Sequence, residues 1–224
     1  MSDKISLFME PNFKDAILFD LDGTLWDATS NICESWNKAM INNHLKYRFT
    51  LNDIKSHMGL TPIETVKIAF NDVDIDTGLN YFKMCVNQEI IDLNNKPGKM
   101  YQDEIEVLNL LKSKYPLFIV SNSDKGYIES YLNSLKMHEY FIDHICAGDT
   151  SLEKWENILY IKNKYHIENI IYVGDTLKDY LESSKARVNF IHASYGFGKI
   201  NEDVYKINSL KELVPLVDKI FKNN

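Results

Sequence analysis

Residues 16–27 read AILFDLDGTLWD, a short apolar run that ends at a pair of acids. The run has the composition of a strand that is buried on both faces. Asp20 and Asp22 follow it, separated by Leu21, so a backbone that stays extended would direct both carboxylates to one side. Two carboxylates this close raise each other's pKa, and a fold rarely keeps them together without a cation or a proton. The stretch therefore predicts a buried strand with a polar site at its carboxyl end.

Gly23 follows the acid pair. A residue without Cβ allows a sharp turn and leaves room for a ligand against backbone amides. A purely structural alternative is a strand end followed by an Asp-Gly turn. That alternative explains Asp22 and Gly23 but gives Asp20 no role, so a functional interpretation of the stretch is favoured.

The size and composition of the chain indicate a globular protein. Its 224 residues suffice for one sizeable core, or for a core with a smaller insert. Its hydrophobic share of 45% and charged share of 25% are those of an ordinary folded domain. The net charge of −7 argues against a nucleic-acid partner.

The spacing of the cysteines and the length of the apolar runs indicate the cellular compartment of the protein. Cys33, Cys85 and Cys146 lie far apart and have no metal-ligand spacing, so we interpret them as reduced thiols that serve as small core hydrophobes. No apolar run approaches the ~20 residues of a membrane span, and the apolar patch near the N-terminus is too short for a signal peptide. We therefore expect a cytoplasmic protein with no membrane partner.

A helical insert is predicted over residues 27–95, where the apolar residues have helical spacing. Its helix-start signals are Asn31 with Glu34, Thr50 with Asp53, and Thr61 with Pro62 and Glu64. A longer helix is predicted over residues 77–93. Because no strand interrupts these four helices, we expect a small all-α cap domain, with the core formed by residues 1–26 and 96–224.

Beyond residue 101, helices and short apolar strands alternate. The strands are predicted at residues 116–120, 142–147, 170–173 and 188–192, and a last helix at 211–221. This alternation indicates an α/β fold with a Rossmann-like, doubly wound parallel sheet and right-handed crossovers. In such sheets, ligands bind outside the carboxyl ends of the strands.

Polar side chains follow three of the predicted strands. They are Asp20 and Asp22 after the first, Ser121 and Asn122 after the second, and Asp175 and Asp179 after the fourth. Each has a structural explanation when taken alone, such as a helix cap or an acid at a helix start. Their joint placement at one edge of the sheet favours a shared site.

These segments resemble the motifs of the haloacid dehalogenase superfamily. Residues 20–25, DLDGTL, are similar to its first motif and Ser121-Asn122 to its second. Lys154 lies where the lysine of the third motif is expected, although Trp155 stands where many relatives have proline. Gly174-Asp175 with Asp179 matches the fourth motif. The insert between the first two motifs resembles the helical cap of phosphoglycolate phosphatase-like members.

The resemblance implies a mechanism. Asp20 is the nucleophile that forms an aspartyl-phosphate, and Asp22 is the acid that protonates the departing alkoxide and then the base that activates water. Dehalogenases of this superfamily lack the second aspartate, because a halide leaves without a proton. Asp22 therefore points to phosphoryl transfer.

The remaining site residues follow from charge and from the resemblance. Several acids and a phosphate dianion cannot share a pocket without cations, and Mg²⁺ prefers oxygen ligands. We expect Mg²⁺ to bridge Asp20, the backbone carbonyl of Asp22, and Asp175, with Asp179 behind them. The expected phosphate-binding residues are Thr24, Ser121, Asn122 and Lys154, and Lys154 is also assigned a catalytic role.

The predicted function is a Mg²⁺-dependent phosphatase for a small phosphorylated metabolite, of the phosphoglycolate phosphatase type. A phosphosugar mutase of the β-phosphoglucomutase type is a second hypothesis, although such mutases carry a histidine about where Ile32 stands. A non-catalytic binding protein is a third. Candidates for leaving-group contacts in the cap are His44, His57, Met58, Thr61 and Lys67. Trp26 is assigned either to the pocket floor or to the core, and a monomer and a homodimer are both left open.

Overall fold

The computed structural model describes residues 12–223, and their fold is built on a six-stranded parallel sheet. The strands in chain order are β1 (Asp15–Phe19), β2 (Trp26–Asp27), β3 (Lys99–Met100), β4 (Leu117–Ser121), β5 (Asp143–Cys146), β6 (Asn169–Gly174), β7 (Asn189–Ala193) and β8 (Tyr205–Ile207). The main sheet has the order β5-β4-β1-β6-β7-β8, and every neighbouring pair in it is parallel. Strands β2 and β3 form a separate antiparallel ribbon.

Ten helices accompany the strands in the described part of the chain. They are α1 (Thr29–Asn42), α2 (Leu51–His57), α3 (Pro62–Ala69), α4 (Ile75–Asn95), α5 (Glu104–Lys112), α6 (Tyr127–Ser134), α7 (Ala147–Thr150), α8 (Lys154–Lys164), α9 (Leu177–Ala186) and α10 (Leu213–Lys222). None of them is long and apolar enough to cross a membrane. The N-terminal apolar patch considered above lies in residues 1–11, outside the described residues.

Helices cover both faces of the sheet, as a doubly wound fold requires. Alternate residues of β1 belong to different apolar clusters: Ile17 and Phe19 pack with α5, α6 and α10, whereas Ala16 and Leu18 pack with α8 and α9. A strand buried on both sides needs a continuous apolar sequence, which is the pattern read from residues 16–19. The predicted α/β, doubly wound parallel sheet is confirmed.

Two parts of the sheet structure were not predicted. Strand β8 extends the sheet by a sixth strand, and two of its three residues are exposed, so it lacks the apolar signal of the others. The ribbon pairs Asp27 with Lys99 and Trp26 with Met100, and so joins the two connections between core and insert. The expected domain boundaries near these residues stay a prediction.

Helices α1 to α4 form the insert and pack on one another. The capping boxes predicted at Thr50 and Thr61 are present. The start signal at Asn31 and Glu34 is wrong, because α1 already begins at Thr29, whose backbone N–H and hydroxyl both donate to Asp27 Oδ1. An acid just before the helix thus supplies the acceptor that its first turn needs.

Candidate active site

Asp20 stands at the carboxyl end of β1 and is buried. Its backbone N–H donates to the carbonyl of Val173 at 2.8 Å, which ties it to the neighbouring strand β6. The backbone does not stay extended through Asp22, which was the condition for a shared direction of both carboxylates, yet both residues line the cavity described below. The chain bends at Leu21, and the following residues form a tight loop closed by the bond from Gly23 N–H to Trp26 O at 2.9 Å. The side chains of Asp20 and Asp22 therefore have different partners.

Lys154 is the buried cation of the site. Its ammonium donates to Asp20 Oδ1 at 2.8 Å and to Asp179 Oδ1 at 2.6 Å. Burial alone would lower the pKa of Lys154, but the two carboxylates raise it well above the ordinary value. For Asp179 burial raises the pKa, and the lysine and the hydrogen bonds from Thr176 outweigh it, so the pKa is lowered. The ion pair is therefore ionised at neutral pH.

Asp175 lies at the end of β6 in a space that glycines leave open. A Cβ on Gly23 would stand 2.2 Å from Asp175 Oδ2, and one on Gly196 would stand 2.4 Å from Asp175 Cβ. Gly23 also has φ +78°, a conformation that other residues rarely adopt. The backbone N–H of Phe197 donates to Asp175 Oδ2 at 2.6 Å, whereas Oδ1 is buried without a hydrogen-bond partner.

Asp20, Asp175 and Asp179 form a buried acidic cluster. Each offers one oxygen, and these oxygens lie within 4.8 Å of one another. Burial and the neighbouring Asp179 raise the pKa of Asp20 to about 7 despite Lys154, and burial with both other acids raises that of Asp175 well above the usual range. Lys154 thus supplies less positive charge than three ionised carboxylates need. An all-oxygen donor set with an unpartnered Asp175 oxygen fits a hard divalent cation such as Mg²⁺.

The side chain of Asp22 lies apart from this cluster. Its Oδ1 accepts hydrogen bonds from Tyr127 Oη at 2.6 Å and from Trp26 Nε1 at 3.1 Å. Burial raises its pKa to about 6, against the effect of these two bonds. Trp26 is fully buried and does not line the cavity described below, so the core alternative for it holds. Tyr127 was not singled out from the sequence; its only signal is its place at the start of α6, close after β4.

Of the four predicted phosphate-binding residues, two line the cavity and two do not. Ser121 and Asn122 line the cavity; Ser121 Oγ accepts the N–H of Ser123 at 3.1 Å, and Asn122 Nδ2 donates to the carbonyl of Gly59 at 2.9 Å. Thr24 is buried outside the cavity lining, and its hydroxyl has no partner. Lys154 also lies outside the lining, behind Asp20.

A cavity opens between the sheet edge and the insert. From the core it is lined by Asp20, Asp22, Ser121, Asn122, Ser123, Asp124 and Tyr127, and from the insert by Ile32, Trp36, His57, Met58, Gly59, Leu60, Pro62, Thr65, Phe82, Val86 and Glu89. Of the five insert residues proposed for leaving-group contacts, His57 and Met58 line it and His44, Thr61 and Lys67 do not. Glu89 was missed.

Lys154 and its helix show why the unexpected Trp155 is tolerated. The backbone N–H of Trp155 donates to Glu182 Oε2 at 3.0 Å, a bond that proline could not make. Lys154 still begins α8 and directs its ammonium to Asp20. The departure from the family pattern is therefore compatible with the contact between Lys154 and Asp20.

Comparison with known families now gives the class of protein. A family model described as haloacid dehalogenase-like hydrolase matches residues 17–193. This match covers well over half of the chain, so the chain belongs to that family, and the predicted family and its enzymatic class, a phosphatase of this type, are confirmed.

The relatives are consistent with this membership. The phosphoglycolate phosphatase of Aquifex aeolicus is 27% identical over 210 residues, which are 90% of this chain and 96% of the relative. A haloacid dehalogenase-like hydrolase from Streptococcus pneumoniae superposes with a TM-score of 0.77 at 19% identity, covering 91% of this chain and 98% of that one. CbbY from Rhodobacter sphaeroides, solved with phosphate, has a TM-score of 0.76 at 14% identity, with 91% and 98% covered. The two structural likenesses show the shared fold.

Proposed function

We propose that the chain is a Mg²⁺-dependent phosphatase that hydrolyses a small phosphomonoester through an aspartyl-phosphate at Asp20. The observation that carries the proposal is the buried arrangement of Asp20, Lys154 and Asp175 at a sheet edge, next to a cavity that the insert covers. Small phosphorylated metabolites are the expected substrates. We also propose a cytoplasmic location and a monomer or homodimer, on the sequence grounds given above.

The first step is attack by Asp20 on phosphorus. Lys154 holds Oδ1, whereas Oδ2 receives no hydrogen bond from a described residue and is the oxygen left for in-line attack. The bond from phosphorus to the ester oxygen breaks as the bond to Asp20 forms. Asp22, whose Oδ1 is held by Tyr127 and Trp26, protonates the departing alkoxide through Oδ2.

The second step returns the free enzyme. Asp22, now ionised, takes a proton from water, and the resulting hydroxide attacks phosphorus and releases Asp20 and inorganic phosphate. The insert excludes bulk water from the cavity during the first step and must open to release the products. Links between the insert and the core include the bond from Asn122 to Gly59, the ion pair between Lys178 and Glu64, and the bond from Asn94 to Ser130.

Asp20, Asp175 and the backbone carbonyl of Asp22 are proposed to hold Mg²⁺, which when bound would neutralise charge on the acids and the phosphoryl group. Lys154 would supply a second positive charge beside the nucleophile. We propose Ser121, Asn122 and Thr24 as further contacts to phosphoryl oxygens. The unpartnered, buried hydroxyl of Thr24 supports its inclusion.

Phosphate release from an aryl phosphate, with and without Mg²⁺, tests the proposal. We expect release only with the ion, and a loss of at least about a thousandfold in Asp20→Asn, because the nucleophile is removed. Asp15→Asn, at the other end of β1, is the matched control and should retain activity. Full activity of Asp20→Asn would refute the assignment. Interconversion of a sugar phosphate without free phosphate would favour the mutase hypothesis.

A further inference from the structure

The wall that the insert contributes to the cavity contains a buried carboxyl group. Phe82, Val86 and Glu89 follow one another at spacings of four and three on α4, so they share a face, and all three line the cavity. Glu89 is only 6% exposed. Trp36 Nε1 donates to its Oε2 at 2.5 Å, while Oε1 receives no hydrogen bond from a described residue.

His57 is a second polar group in this wall. Its ring stacks on Trp36 with centroids 5.8 Å apart, and its Nδ1 is buried without a partner. Burial lowers the pKa of His57, so it is neutral at pH 7. The neighbouring wall residues Ile32, Phe82 and Val86 are apolar. An apolar wall with two hydrogen-bonding groups of unused capacity is the usual composition of a small-molecule site.

Within residues 12–223, the wall offers no cation to balance a negatively charged substrate group. None of these residues that line the cavity is a lysine or arginine, whereas Glu89 and Asp124 line it in addition to the catalytic acids. Lys67 and Lys125 are exposed and lie outside the lining. A carboxylate on the alcohol part of a substrate would be desolvated beside these acids without a counterion, which disfavours its binding strongly.

We propose that this wall selects phosphomonoesters whose alcohol part carries a hydrogen-bond donor, a hydroxyl or an ammonium group, and that it rejects those with a carboxylate. Glu89 Oε1 accepts the donor, and Trp36 and Phe82 contact the carbon skeleton. This specificity rests on the phosphatase function proposed above. Phosphoglycolate carries a carboxylate, so the substrate of this chain differs from the one named for its relatives.

A series of two-carbon phosphate esters tests the specificity. The esters of ethanolamine, ethylene glycol, ethanol and glycolate differ only at the second carbon, which is an ammoniomethyl, hydroxymethyl, methyl or carboxylate group. Their affinities are measured with Mg²⁺ present, by calorimetry on Asp22→Asn, which keeps the proposed Mg²⁺ ligands and turns alkyl phosphates over slowly. Should that variant not fold, they are measured as competition against aryl phosphate hydrolysis by the wild-type chain. We expect the ammonium or the hydroxyl ester to bind at least about tenfold more tightly than the carboxylate ester.

The order of affinities within the series shows whether the wall prefers an ammonium or a hydroxyl donor. A tighter ammonium ester indicates an ionised Glu89, and a tighter hydroxyl ester a protonated one; both support the proposal. Equal affinities, the tightest binding for the carboxylate ester, or no binding of any ester would overturn it. Hydrolysis of an aryl phosphate is measured separately, so a failed phosphatase assay is distinguishable from a wrong specificity.

Substitution of Glu89 tests whether this residue causes the preference among the esters. Glu89→Gln keeps an oxygen that can accept the Trp36 N–H but cannot become charged. The advantage of the ammonium or hydroxyl ester over the ethyl ester should fall by at least about fivefold in this variant. Glu104→Gln is the matched control, because Glu104 is a buried glutamate outside the cavity lining. An unchanged ratio in Glu89→Gln would overturn the role of Glu89.

Discussion

Asp175 is a buried acid whose position depends on the absence of side chains around it. Gly23 and Gly196 leave the space, and Phe197 donates a hydrogen bond to Oδ2 of its carboxylate. In the part of the chain that the structure describes, its Oδ1 has no hydrogen-bond partner and no lysine forms an ion pair with it. Such a group weakens the fold unless a cation or a proton is present, which is typical of a residue kept for function.

Asp175→Asn should stabilise the metal-free protein and weaken Mg²⁺ binding. Burial and the neighbouring acids raise the pKa of Asp175, so its replacement by a group that cannot ionise is expected to raise the free energy of unfolding at pH 8 by about 1–3 kcal/mol, measured with urea in EDTA. The Mg²⁺ affinity, measured by calorimetry, should fall at least about tenfold. Asp179→Asn provides the contrast, because it removes a partner of Lys154 and should destabilise the protein. A destabilised Asp175→Asn with unchanged Mg²⁺ affinity would show that Asp175 is a structural residue.

Asp22→Asn should slow the cleavage of esters with a poor leaving group more than that of esters with a good one. An alkoxide needs a proton from Asp22, so hydrolysis of an alkyl phosphate should fall about 10²–10⁴-fold. Nitrophenolate leaves without help, so the variant should still release it in a burst of about one equivalent and then stall before phosphate release. Rapid-quench measurement of both products checks this, and equal losses for both esters without a burst would contradict the role of Asp22.

For the helices and strands, the pattern of apolar residues determined which of them could be predicted from the sequence. Strands β1 and β4 to β7 carry apolar runs and were predicted, whereas β8 has one buried residue and gave no signal. On α4 the structure buries Glu89 among apolar residues, because the spacing from Phe82 through Val86 continues to Glu89 and then Leu93. A charged residue inside an apolar helical pattern is the signal that would have identified this wall residue.

The start of α3 gives a test of local structure. Thr61 accepts the N–H of Glu64, and the Glu64 carboxylate accepts the N–H of Thr61. Thr61→Ala removes the acceptor at the cap and should lower the free energy of unfolding by about 1 kcal/mol, measured by urea titration. Thr61→Ser keeps the hydroxyl and should lie close to wild type. Equal stability of the alanine variant and the wild type would mean that the capping box of Thr61 and Glu64 contributes nothing to the free energy of unfolding.

At the scale of the whole molecule, buried acids set the dependence of stability on pH. Burial raises the pKa of Asp22 to about 6, that of Asp20 to about 7, and those of Glu89 and Glu104 to about 8. The pKa of each acid is higher in the folded than in the unfolded protein. Their contribution is therefore complete below about pH 4 and is lost as the pH rises through 6 to 8.

The metal-free protein should accordingly be less stable at pH 8 than at pH 5. The lowered pKa values of His57 and His192 act in the opposite direction, but they oppose five acids with raised pKa values, the four above and Asp175. Urea unfolding in EDTA at both pH values measures the difference, and Glu104→Gln should make it smaller. Mg²⁺ at pH 8 should restore stability, because the ion replaces protons at the acidic cluster. Stability that rises from pH 5 to pH 8 in EDTA would be incompatible with these buried acids.

The phosphorylation of Asp20 is the step on which the whole account depends, and it can be trapped. An acyl phosphate is reduced by borohydride to an alcohol, so an aspartyl-phosphate becomes homoserine. The enzyme is quenched with borohydride during turnover of an aryl phosphate with Mg²⁺, and its peptides are sequenced by mass spectrometry. We predict homoserine at position 20 and at no other aspartate. Homoserine at another position, or its absence while phosphate is being released, would contradict the account.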